Sequence, residues 1–143
     1  MNDPSQQPVS RTTPGHQLVV KTLDTHPNAL RSLHSRDSPE AELAGLVVRA
    51  ALHLDQVQKE LVDRCTWAAD DLTRVAAGTT SVNSLGILQN SGLQIDLLAA
   101  RRADATAHLK SVMAAYQSAT TPAEPRHPSP PPAPMSTASR RSR

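Results

Sequence analysis

The 143-residue chain has no phenylalanine, one tryptophan, one tyrosine and one cysteine. A core built on large aromatics is therefore excluded. An intramolecular disulfide is excluded too, and a lone Cys65 fits a reducing compartment. Long apolar runs are also missing. The most apolar stretch, LAGLVV at 43–48, stops at Arg49, far short of the roughly 20 residues of a membrane span. The opening residues lack the basic-then-apolar order of a secretory signal. These absences lead to the expectation of a soluble, cytoplasmic protein with no membrane span.

Proline is absent where it matters most. All twelve prolines lie at positions 4–39 or 122–134, so residues 40–121 contain none. Proline removes a backbone donor and clashes with the preceding helical turn, so a long stretch without it is permissive for helix. This predicts an all-α body at 39–119, between a mostly irregular, disordered N-terminal arm (1–38) and a disordered tail (120–143). Charge divides the same way. The arm carries net +1, the body −2 and the tail +3, so the basic character of the chain belongs to its ends. Capture of nucleic acid by the body is disfavoured, because that needs lysine and arginine gathered on one face.

Within the body two helices are expected. Ser38 is placed as an N-cap, Pro39 at the first helical position, and Glu40 and Glu42 complement the positive end of the dipole. From there Leu43, Val47, Ala50, Leu54, Val57, Leu61, Cys65, Ala68, Leu72 and Val75 recur at steps of three and four, a heptad-like seam that puts Cys65 in the core. Gly78 is the stop, giving a helix over 39–77 of roughly 58 Å. The segment 78–91 is rich in Gly, Asn and hydroxyl residues and reads as a connection with a short helical turn at Leu85–Gln89. A second helix follows over 92–119, with a seam at Ile95, Leu98, Ala105, Leu109, Val112 and Tyr116, interrupted by Arg102. Two long helices on a short connection pair antiparallel, and a fold about residue 81 brings His53 level with His108 and Trp67 level with residue 95.

More apolar surface is present than such a hairpin can hide. Trp67 lies about 120° round its helix from the seam. Leu93 and Leu97 stand off the seam of the second helix, and Val48 and Leu52 off that of the first. Three fates are open for the indole: cover by the LVVKTL and ALRSL stretches of the arm, an exposed cation–π contact with Arg64 or Arg74, or burial against another chain. Trp67, Leu93, Leu97, Val48 and Leu52 are thus the candidate interaction residues, with a homodimer the favoured partner state and an unidentified protein the other.

Chemistry is sparse. Asp63, Asp70 and Asp71 are interleaved with Arg64 and Arg74 and read as a solvated charged face. His53 and His108 would need further ligands to hold a metal, and no phosphate-binding, nucleophile-elbow, Cys-x-x-Cys or zinc-protease motif occurs. The expectation is a non-enzyme without cofactor or metal. The Pro-rich tail reads as a spacer or a polyproline ligand. Its Arg140, Arg141 and Arg143 supply the alternative function, an accessory protein that touches nucleic acid through its ends. In outline the hairpin resembles the small secreted helical hairpins of the WXG type. Here, however, Trp67 is inside the first helix instead of the turn, no W-x-G occurs, and Thr120 stands four after Tyr116 where that family's export signal has an acid, so nothing is carried over.

Overall fold

The computed structural model describes residues 13–79 and 84–122, and among these the regular structure is entirely helical. Helix α1 spans Pro14–Leu23, and α2 spans Pro27–Leu30 and runs into a 3-10 turn at Arg31–Leu33. The long helices α3 (Pro39–Ala76) and α4 (Ser84–Thr120) pack closely together, with α1 and α2 laid against them.

Much of the described N-terminal arm, expected to be irregular, is helical. The reason lies in where its prolines stand. Pro14, Pro27 and Pro39 each occupy the first turn of a helix, where a missing N–H costs nothing and the fixed φ is already helical. They are start signals, not breaks. Helix α2 is capped by its own neighbour, the His26 imidazole accepting from the Asn28 amide at 3.3 Å. Helix α1 has no such local cap, because the Thr13 side chain makes no capping bond. Its free amides are instead taken by a residue of α3: Asp55 accepts from the Gly15 N–H at 2.7 Å and the His16 N–H at 3.3 Å. One carboxylate thereby satisfies two orphan donors, complements the positive end of the α1 dipole and ties α1 to α3.

At the start of α3 the capping reading holds. Ser38 Oγ accepts from the Ala41 amide at 3.1 Å, and Pro39 follows the cap. The helix ends at Ala76, with Gly78 at φ 69°, a left-handed conformation that glycine adopts without penalty. Helix α4 corrects the sequence reading: it begins at Ser84, not residue 92, and absorbs the expected helical turn at 85–89. Residues 80–83 lie outside the described residues. Gly86 and Gly92 each weaken a helix by about 1 kcal/mol relative to alanine. Breaking and restarting the helix would orphan several more backbone groups and require a new nucleus, so continuation wins.

The core gathers at one end. Val19 of α1 and Leu30 of α2 meet Ala44, Val47, Ala51 and Leu54 of α3 and Ala105, Leu109, Met113 and Tyr116 of α4. Helix α1 approaches α3 so closely that a methyl on Gly15 would lie 2.8 Å from the Ala51 carbonyl carbon and closer still to its oxygen. His34, after the 3-10 turn, shares a 2.8 Å hydrogen bond with the Tyr116 hydroxyl, their rings edge to face. The other half of the long pair is different. No described side chain from 58 to 79 or from 89 to 104 is buried. The seam therefore fails beyond Val57: Cys65, expected in the core, is exposed, and Leu72 is 37% exposed. Among the described residues no third element packs over this half, while Met113, absent from the sequence seam, is buried.

Two predictions follow from this packing. Gly15→Ala should lower stability by about 1–3 kcal/mol, the usual penalty of overpacking, whereas Gly92→Ala, with open space around the added methyl, should raise it by about 0.5–1 kcal/mol. Urea unfolding of the full chain measures both, and equal effects would contradict the described contact. Second, burial raises the Tyr116 pKa above its usual 10.0. A group whose folded pKa is raised contributes stability below the unfolded value and loses it as pH climbs through the folded one. Stability should therefore fall on the alkaline side of pH 10, and Tyr116→Phe should remove that fall while costing about 1 kcal/mol near neutrality through the lost hydrogen bond to His34.

Candidate functional site

The half of the α3–α4 pair that lacks buried side chains among the described residues carries the lone tryptophan. Trp67 is 59% exposed, and the Arg64 guanidinium carbon lies 5.3 Å from its ring centroid. Of the three fates open to the indole, cover by the arm is overturned. Helix α1 docks on Ala51 and Asp55, and Trp67 lies about 160° and 120° further round α3 from them at about 3.6 residues per turn. The described part of the arm therefore lies on a different face. Within the chain the cation–π contact with Arg64 is the one that forms; Arg74 instead pairs with Asp71.

Trp67 is not isolated. With Glu60, Asp63 and Arg64 of α3 and Gln94, Leu97 and Leu98 of α4 it lines an open groove of about 370 Å³ between the two helices. Trp67 and Leu97 thus share a face as well as a height. Leu93, one turn from Leu97, is 74% exposed, and Leu52 is 63% exposed. Val48 is half-buried and adds little to the open surface. Further along the same side, His53 and His108 line a second shallow groove with Arg101 and Asp104. His53, Glu60 and Trp67 recur at intervals of seven, close to two helical turns, so both grooves belong to one uncovered face.

The charges on this face are mostly occupied locally. Asp63 accepts from Lys59 Nζ at 2.8 Å, and Glu60 accepts from the Gln56 amide at 3.1 Å. Among the described residues no cluster of three or more potential metal ligands occurs, and no helix is long and apolar enough to cross a membrane. Arg140, Arg141 and Arg143 lie outside the described residues. The arrangement offers contact area and orientation: a flat indole, two leucines, and charges of both signs at the rim. Periodicity alone does not reveal that Trp67 and Leu97 share a groove; that takes the packing of α3 on α4. No known protein family, curated protein or solved structure matches the chain.

Proposed function

We propose that this chain is a small non-catalytic helical interaction module: an antiparallel α3–α4 hairpin, steadied at its open end by α1 and α2, that self-associates through its uncovered face, most simply as a dimer. One observation carries the reading. The sole tryptophan stands 59% exposed in a groove shared with Leu97, on a half-hairpin without a buried side chain among the described residues. Exposed apolar patches of this kind mark contact sites, and tryptophan is enriched where interfaces concentrate their energy. Two hairpins laid face to face form a four-helix bundle, the arrangement that supplies the second apolar layer this half lacks.

Sedimentation equilibrium of the full chain should give a mass above the 15.3 kDa of one copy that declines on dilution. Trp67→Ala should raise the dissociation constant about tenfold or more, as removal of an interface anchor does, with helix content unchanged. A stable monomer at every concentration would overturn the proposal.

A further inference from the structure

Glu60 and Arg64 stand four apart on α3, the spacing and order that favour an ion pair within a helix. They do not form one. The guanidinium of Arg64 lies over Trp67, Glu60 takes only the Gln56 amide, and the neighbouring Asp63 is held by Lys59. Both charges line the open groove. They are opposite in sign, about 6 Å apart along the axis and on one face, so the pattern is complementary to itself turned through a half-circle. Across 58–76 and 84–104, five Lys/Arg stand against six Asp/Glu, so two copies of this half do not repel each other.

We infer that the occupant of the groove is a second copy of the chain, docked about a two-fold axis midway between Glu60 and Arg64. The two α3 helices run antiparallel there, each Glu60 facing the partner's Arg64. This rests on the self-association proposed above and adds its register. The two-fold makes the contact isologous, so one pairing occurs twice. Arginine suits the role because its planar guanidinium can stack on an indole while its edge donates to a carboxylate. The two indoles flank the paired charges, about 15 Å apart along the helix axis. Affinity comes from the indoles and Leu97. The charge pairs set register and orientation, which is what rim charges chiefly supply.

Reversing each charge tests the register. Glu60→Arg or Arg64→Glu alone places like charges opposite one another and should raise the dissociation constant about tenfold or more. Mixing the two single variants should yield a heterodimer tighter than either homodimer, because opposite signs then meet at both contacts. The double variant should recover binding to within about threefold, since one-turn neighbours with swapped signs remain complementary. Heterodimer preference is the deciding readout, because a pair confined to one chain cannot produce it. Far-UV circular dichroism checks helix content, and Glu60→Gln, which keeps the side-chain shape, should weaken the dimer less than the reversal. A dimer that ignores these changes, or singles that weaken it without heterodimer preference, overturns the register and leaves self-association standing. A monomeric parent chain overturns both.

Discussion

Among the described residues a third layer covers only one end of the α3–α4 pair, and the rest of the structure follows from that limit. At the open end α1 and α2 add Val19 and Leu30, and with Met113 and Tyr116 they let Leu54 and Leu109 be fully enclosed. Beyond Val57 and Ala105 the pair has no third layer among the described residues, and no described side chain there is buried. Burial at about 25 cal/mol per Å² is the dominant favourable term in folding. Stability is therefore concentrated at one end and surface at the other.

The link between the two ends is a contact of atomic closeness. Gly15 lets α1 settle against the Ala51 carbonyl, and the Asp55 carboxylate collects the amides that α1 cannot satisfy locally. With α1 fixed on the Ala51–Asp55 side of α3, the side that holds Trp67 stays uncovered by the described part of the arm. Core formation at the open end thus decides which face is left available.

How much of this was legible in the residues depended on whether a local rule governed each position. The start of α3 at Ser38–Pro39 and its end at Gly78 follow from capping rules and stand, and His53 and His108 line one groove. The helices at 14–33 are hidden in the sequence because proline reads as a breaker, although Pro14 and Pro27 occupy first turns. Cys65 is exposed although it lies on the seam, because periodicity shows which stripe a residue belongs to and not whether a further layer covers it. The Asp55 cap and the His34–Tyr116 bond join residues 40 and 82 apart in sequence, and no local pattern announces such pairs. On the candidate face, the exposure of Trp67, Leu93 and Leu97 was readable from their offset to the seam, whereas the convergence of Trp67 and Leu97 required the fold.

The indole itself offers the most direct measurement, because Trp67 is the chain's only tryptophan and every photon it emits reports this one face. If a second copy covers the groove, the emission maximum should move to shorter wavelength and quenching by a soluble quencher should weaken as chain concentration rises. A spectrum and a quenching constant that stay those of a water-exposed indole, at every concentration, would contradict it.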